Sequence, residues 1–333
     1  MMCGRRCRSR TKLTRVSHRV PPLFLLAVSF IAVMGCTPGV FQKPVSDFKY
    51  AVETSRDAYF KQLKAKMTSD VEKFTVQRHL TRSWTRKDDG SILGMDKNTA
   101  DRIAEVRSKP VIHPRSFAIR QRAFDIVIFY SDTLLAIASD KDTHRLIAEV
   151  DGFREDTLLL VKGIEDLGEV ADAAQFAAPF TSAVKAFELI SRTIADAMRE
   201  KAIRQSIVQA DPMIQELFRT LGDEAVLAQA TTRENYEMTL NQLNSVIEKG
   251  NFADNAAKDK IFDKYTELKS RLSKLDALGQ DGDMRQLFEK ARAAHSDLLR
   301  QASGVSIEEL PKRIEEFRQR VLLLKQAFDD IYS

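Results

Sequence analysis

Residues that could support catalysis or bind a metal are scattered along the sequence. Four histidines follow the N-terminal apolar segment, and none has the His-x-x-x-His or Glu-x-x-His spacing that puts metal ligands on one helix face. They are His79, His113, His144 and His295. The Asp-Gly-Asp stretch at 281–283 lacks the remaining ligands of a calcium loop, and we interpret it as a turn and a helix cap. Because nucleophile-elbow, phosphate-loop and dinucleotide motifs are also absent from the sequence, we predict a non-enzymatic protein without metal or cofactor.

An acidic pair lies within the most apolar segment, AFDIVIFYSDTLLAIA at 123–138. As a helix, this segment would be the central buried one, with Asp125 and Asp132 seven residues apart on one face. The pair could serve acid–base chemistry or bind a cation. We favour a narrow solvated edge, with Asp125 bonded to Arg120 or Arg122. A β-branched run in the segment would also suit a strand, but no partner strand is evident.

Cys36 is the residue whose neighbours define the most specific chemistry. It follows a run of twelve residues, Leu23 to Met34, that is preceded by seven basic residues and no acidic residue. This order is typical of a secretory signal. A membrane-spanning helix needs about 20 apolar residues, so the run is too short to cross a bilayer.

The four residues Val33, Met34, Gly35 and Cys36 resemble the lipobox of bacterial lipoprotein precursors. The resemblance covers about the first 40 residues and does not extend to the rest of the chain. It implies cleavage before Cys36, a diacylglyceryl thioether on the Cys36 sulfur and usually a further acyl chain, such as palmitate, on its amino group. One acyl chain binds a membrane only marginally, whereas two or three anchor a protein stably.

Thr37 follows the cysteine at the position that influences sorting in lipoproteins similar to this one. In two-membrane bacteria, an aspartate at that position commonly retains the protein in the inner membrane. The resemblance therefore implies that Thr37 permits transfer to the outer membrane, with the protein facing the periplasm. The inner membrane and the cell surface are the alternatives.

Cleavage of the signal changes the charge of the protein. The whole chain has 52 basic and 47 acidic residues, and the signal removes seven basic ones, so the mature net charge is about −2. Overall basicity thus gives no argument for nucleic-acid binding. Cys3 and Cys7 leave with the signal, so no disulfide is expected and the apolar core alone must stabilise the fold.

One basic segment remains at residues 73–122, with twelve basic residues against five acidic ones. It contains Trp84, the only tryptophan. The simpler interpretation is a solvated loop whose charges pair with the acidic remainder of the chain. The functional hypothesis is a site for phosphorylated lipid headgroups, an anionic envelope polymer or an acidic partner protein. Its candidate binding residues are Arg78, Arg82, Trp84, Arg86 and Lys87.

Apolar residues recur at intervals of three and four from Ser46 onward, which indicates amphipathic helices. The clearest stripe is Ile307, Leu310, Ile314, Phe317, Val321, Leu324, Phe328 and Ile331. Others are Phe48, Val52, Tyr59, Leu63, Met67, Val71 and Phe74; Tyr236, Leu240, Leu243 and Ile247; and Ile261, Tyr265, Leu268, Leu272 and Leu275. No comparable period of two occurs. The sequence predicts an all-α fold, an elongated bundle of long, partly coiled-coil-like helices.

Three parts of the chain follow from these patterns: a signal at 1–35, a lipidated cysteine and tether at 36–45, and a helical bundle at 46–333. The tether is predicted because TPGVFQKPV contains two prolines and a glycine. Helix boundaries are predicted from caps and breakers. Predicted starts are Ser46, Asp211 with Pro212, Asp283 with Gln286, and Leu310 before Pro311; predicted breaks are Gly90, 110–114, Gly152, Gly250, 279–282 and Gly304.

Residues 163–190 are rich in alanine and other small residues, and a break between sub-bundles is possible near 163–179. Small residues let helices approach closely, and we favour this packing role, with Pro179 opening a helix. The alternative is a concealed hairpin that enters a membrane. Four acidic residues crowd the first half of the segment and would oppose insertion into anionic lipid.

These patterns predict a lipid-anchored envelope protein that binds or scaffolds through helical surfaces. Its expected partners are the membrane, through Cys36, and an envelope protein or anionic envelope component that the sequence does not identify. A membrane-active, pore-forming-like protein that uses residues 163–190 is one alternative. An enzyme of unfamiliar type is another, and it would require a pocket that holds Asp125 and Asp132 beside a histidine.

Overall fold

The chain forms eight α-helices and two short 3-10 helices in the residues that the computed structural model describes: 39–84, 114–139, 141–166, 174–250, 252, 254–305 and 309–332. The helices are α1 (Gly39–Trp84), α2 (Pro114–Ala138), α3 (Thr143–Asp166), α4 (Ala177–Asp196), α5 (Arg199–Lys249), α6 (Asn255–Leu278), α7 (Met284–Ala302) and α8 (Leu310–Tyr332). The 3-10 helices are Ala174–Phe176 and Gly279–Gly282. These ranges contain no strand, and the prediction of an all-α helical bundle is confirmed.

The long helix α5 is the common packing partner of the bundle. It packs against α1, α2, α4, α6 and α7, and α1 packs in turn against α2 and α8. Helix α3 packs mainly on α4, and α7 packs on α8. One continuous apolar core therefore joins most of the described helices.

The predicted apolar stripes account for much of this core. In α8, every stripe residue from Leu310 to Ile331 is buried. Leu268 and Leu275 of the predicted α6 stripe are buried, and Ile261 and Tyr265 are partly buried against the core. Burial of one face against neighbouring helices stabilises these elements, because isolated helices have little stability in water.

Several helix ends follow the predicted local chemistry. The carboxylate of Asp283 caps α7 by accepting a hydrogen bond from the Arg285 amide at 2.8 Å, while Gln286 accepts one from Arg320 instead of completing a capping box. Gly250 ends α5 with a φ of 65°, a conformation that favours glycine. Helix α8 begins at Leu310, as predicted from Pro311.

The first helix begins earlier than predicted and includes most of the predicted tether. Helix α1 starts at Gly39, so Ser46 is inside the helix, and residues 39–45 do not form a tether. Phe41 and Val45 are buried in the core. Their burial outweighs the backbone hydrogen bond that Pro44 cannot make.

Two predicted helix boundaries are wrong. Asp211 and Pro212 lie inside α5, and Gly152 lies inside α3. Burial of Met213 and Ile214 directly after the proline keeps α5 continuous. The prediction that Pro179 opens a helix is confirmed, since it is the third residue of α4. The predicted breaks at Gly90 and at 110–113 lie outside the described residues.

Candidate functional site

The predicted anchoring residues immediately precede the described part of the chain. Cys36 and Thr37 lie outside it, and Cys36 precedes the first residue of α1 by three positions. The start of α1 is held in place by Phe41, whose ring lies 5.6 Å from the Arg204 guanidinium. Arg204 also donates hydrogen bonds to the carbonyl oxygens of Gln301 and Ala302, at 3.1 and 2.8 Å. It thereby satisfies two backbone acceptors at the C-terminal end of α7.

A cleft of about 330 Å³ opens between the start of α1, the end of α7 and the start of α8. We call it the N-terminal cleft. Its lining is Val40, Lys43, Pro44, Asp47, Gln301, Leu310, Pro311 and Ile314. Five of these eight side chains are apolar, and the ammonium of Lys43 pairs with Asp47 at 2.5 Å. The volume is at the lower end of the range for small-ligand sites.

A second cleft, of about 670 Å³, lies between α5 and α6. Its lining is Val226, Gln229, Ala230, Arg233, Leu275, Asp276, Gly279 and Asp283. An ion pair of 3.1 Å between Arg233 and Asp276 joins its two sides. The side chains that could combine into a catalytic group, described below, line neither of these two clefts.

The predicted partner-binding residues lie at the C-terminal end of α1 and beyond it. The backbone of Arg78, Arg82 and Trp84 is helical, but their side chains are outside the described residues, as are Arg86 and Lys87 altogether. Just before them, Val71 and Phe74 are 54% and 47% exposed. The predicted α1 stripe therefore continues as an exposed apolar surface next to the basic segment.

Asp125 and Asp132 face α1 and pair with basic residues of that helix. Asp132 accepts a hydrogen bond from Lys49 at 2.6 Å, and Asp125 lies 3.8 Å from Arg56. Burial raises the pKa of Asp125, and the charges of Arg56 and Arg122 oppose that rise. Among the described residues Asp125 pairs with Arg56, and not with Arg120 or Arg122 as predicted, although the Arg122 charge acts on it. Both carboxylates form part of the α1–α2 contact.

The alanine-rich segment packs as helix α4 in its described second half. Phe180, Ala183, Phe187 and Ile190 are buried in the core. Residues 167–173 lie outside the described ranges. None of the helices in those ranges combines the length and the apolar composition needed to cross a membrane.

A buried ion pair that the sequence analysis missed joins α2 to α5. The guanidinium of Arg120 donates to Glu224 from Nε at 2.7 Å and also from Nη2. It donates as well to the carbonyl oxygen of Ser116, at 2.8 Å. Tyr59 on α1 donates its hydroxyl hydrogen to the second oxygen of Glu224, and burial followed by the Glu224 charge raises the pKa of Tyr59. One carboxylate thus joins three helices.

A second buried group connects Tyr130, His295 and Asp211. His295 has no exposed surface, and its Nε2 lies 3.1 Å from the Tyr130 hydroxyl while its Nδ1 lies 3.0 Å from an Asp211 oxygen. Burial favours a higher pKa for Asp211, but the hydrogen bond and charge of His295, with Gln215 and Arg292, lower it overall. An Asp–His–Tyr chain could transfer protons, but its burial fits a role in joining α2, α5 and α7.

No local pattern could have revealed these groups, because the bonded pairs that join different helices are 84 to 165 residues apart in the sequence. Among the described residues, no group of three or more histidine, cysteine or carboxylate side chains is placed to hold a metal ion. Comparisons of the sequence with protein families and curated proteins, and of the structure with solved structures, find no match.

Proposed function

We propose that this protein is a lipid-anchored bacterial envelope protein with a non-enzymatic binding or scaffolding role. We place it in the outer membrane, facing the periplasm. The observation that carries the proposal is the succession of two features: the lipobox-like residues Val33 to Cys36, and a helix that starts at Gly39 and is packed into the core from Phe41.

The short connection supports an anchor that positions the bundle closely. Three residues of extended chain cover at most about 11 Å between Cys36 and Gly39. A lipid on Cys36 would therefore keep the start of α1 next to the bilayer. A long tether would let the bundle move far from the membrane, whereas three residues set a short upper limit on the distance between Cys36 and Gly39.

The length of α1 supports a binding site away from the anchor. Its 46 residues extend about 68 Å at 1.5 Å per residue. Arg78, Arg82, Trp84, Arg86 and Lys87 follow the exposed residues Val71 and Phe74 in the sequence, at or after the last turns of this helix. We assign this end to an anionic envelope component or an acidic partner protein, because guanidinium groups bind carboxylates and phosphates well and the apolar pair adds contact area.

The anchoring part of the proposal is tested with Cys36→Ser and Thr37→Asp in the complete precursor. Intact-mass spectrometry should find an acylated Cys36 in the wild type and an unacylated precursor for Cys36→Ser. Membrane fractionation by density should place the wild type in the outer membrane and Thr37→Asp in the inner membrane. An unmodified mature Cys36 would refute lipidation, and wild-type protein mainly in the inner membrane would refute the assigned location.

The binding part is tested by crosslinking in native envelopes followed by purification of this chain. We expect Arg78→Glu/Arg82→Glu to lose the crosslinked species that the wild type captures. The matched control is Arg145→Glu/Arg192→Glu, which reverses two exposed arginines on α3 and α4. Equal loss in both double variants would contradict a specific site, and dye release from liposomes by unacylated protein would favour the membrane-active alternative.

A further inference from the structure

The N-terminal cleft is lined in part by residues that follow the predicted lipidation site closely in the sequence. Val40, one of its lining residues, follows Cys36 by only four positions. An acyl chain attached to Cys36 therefore starts within about 11 Å of the first residue of α1.

The lining suits a hydrocarbon chain. Val40 and Pro44 form one side of the cleft, and Leu310, Pro311 and Ile314 form the other. The side chain of Val40 is 39% exposed. An apolar occupant of the cleft would cover this exposed apolar surface. The two charged residues of the lining, Lys43 and Asp47, pair with each other and so need no ionic ligand.

Gln301 supplies the one further polar group of the lining. Its Oε1 atom is buried and accepts no hydrogen bond from the described residues. An acyl chain on the amino group of Cys36 is attached through an amide, whose N–H is a donor. The lining of the cleft thus combines an apolar surface with one acceptor that no described residue satisfies.

We propose that the N-terminal cleft holds an acyl chain of Cys36 while the protein is away from a bilayer. The inference rests on the proposed function, since it requires an acylated Cys36. A hydrocarbon chain in water is unfavourable, and each methylene removed from water contributes to binding. The cleft covers part of a chain, whereas a bilayer covers all of it, so insertion into a membrane empties the cleft.

Photocrosslinking tests this inference on the intact lipoprotein. Cells that produce the full chain are fed a palmitate analogue that carries a diazirine, and the purified protein is irradiated in two states. One sample is kept below the critical micelle concentration of its detergent, and the other is in vesicles of phosphatidylethanolamine and phosphatidylglycerol. We expect crosslinks to peptides that contain residues 40–47 or 310–314 in the first sample, and crosslinks to lipid in the second.

Two exposed valines at the same end of the bundle provide the variant and its control. Val40→Glu places a carboxylate in the cleft and should lower the crosslink yield at residues 310–314 by about tenfold. Val305→Glu alters a valine that is 48% exposed and outside the cleft lining, and it should leave the yield unchanged.

The outcomes separate this inference from the proposed function. An acylated Cys36 whose crosslinks fall elsewhere, or whose yield responds equally to both variants, overturns the acyl-binding cleft and leaves lipid anchoring intact. A mature Cys36 that mass spectrometry finds without any acyl group overturns the proposed function and the inference together.

Discussion

The two ends of α1 have the same apolar periodicity but different surroundings. Near the N-terminus, Phe48 and Val52 are buried, and the Phe48 ring lies about 6 Å from Phe218, His295 and Phe317. Near the C-terminus, Val71 and Phe74 continue the stripe and are about half exposed. The same spacing therefore belongs to the core at one end and to the surface at the other.

The difference arises from the contacts that other helices make with each end. The N-terminal part of α1 packs among aromatic side chains of α5, α7 and α8, whereas the described contacts near residue 70 are largely polar. Asn235 donates to Asp70 at 2.6 Å, and the Lys264 ammonium pairs with Glu72. Periodicity thus fixes which face of a helix is apolar, and neighbouring helices determine whether that face is buried.

The largest expected effect is on the apolar contacts of the N-terminal end. Phe48→Ala should reduce the free energy of unfolding by about 3–5 kcal/mol, because it leaves a cavity among packed rings. Tyr50→Ala, two residues later and 48% exposed, should change it by less than about 0.5 kcal/mol. Urea denaturation followed by circular dichroism measures the free energy of unfolding of both variants. Similar losses for Phe48→Ala and Tyr50→Ala would show that the buried face of α1 contributes no more than its exposed face.

The next effect compares two carboxylates that pair with basic residues of neighbouring helices: Glu224 of α5, which also bonds Tyr59 of α1, and Glu72 near the C-terminal end of α1. Glu224→Gln removes the negative charge that neutralises buried Arg120 and should cost about 3 kcal/mol or more. Glu72→Gln affects the more exposed Lys264 and Arg271 and should cost on the order of 1 kcal/mol. Equal destabilisation by Glu224→Gln and Glu72→Gln in denaturation experiments would mean that burial of Arg120 does not raise the cost of losing its carboxylate partner.

A pH-dependent effect belongs to the core end, where His295 packs on Phe48. The lowered pKa of Asp211 means that its ionised form stabilises the fold at neutral pH, and Asp211→Asn should cost about 1–3 kcal/mol there. This contribution is present above the unfolded pKa of about 4 and is lost as the pH falls through the lower folded value. Unfolding of both proteins between pH 7 and pH 3 should show the difference shrinking with acid; a constant difference would contradict this sign.

The smallest stability effect is expected at the exposed end of α1. Phe74→Ala should change the free energy of unfolding by about 0.5 kcal/mol or less, because the ring already contacts solvent over much of its surface. Thermal unfolding measures this change. A loss as large as that of Phe48→Ala would show that Phe74 belongs to the core and not to a contact surface.

The helical class, the apolar faces and several helix ends follow from local sequence patterns. The α8 stripe from Leu310 to Ile331 was predicted residue by residue, because a 3.6-residue period can bury only one face. The cap at Asp283 and the end of α5 at Gly250 were predicted as well, since both depend on local backbone chemistry. Lipidation of Cys36, which the lipobox-like residues imply, stays a prediction.

Packing between helices overrides several weak local signals. Gly152 and Pro212 did not end their helices, and Pro44 did not prevent α1 from starting at Gly39, because burial of neighbouring apolar side chains exceeded the local cost of each breaker. The polar groups of the core also depend on the packing of helices. Glu224 with Arg120, and His295 with Asp211 and Tyr130, meet only after distant helices pack, so no sequence spacing encodes them.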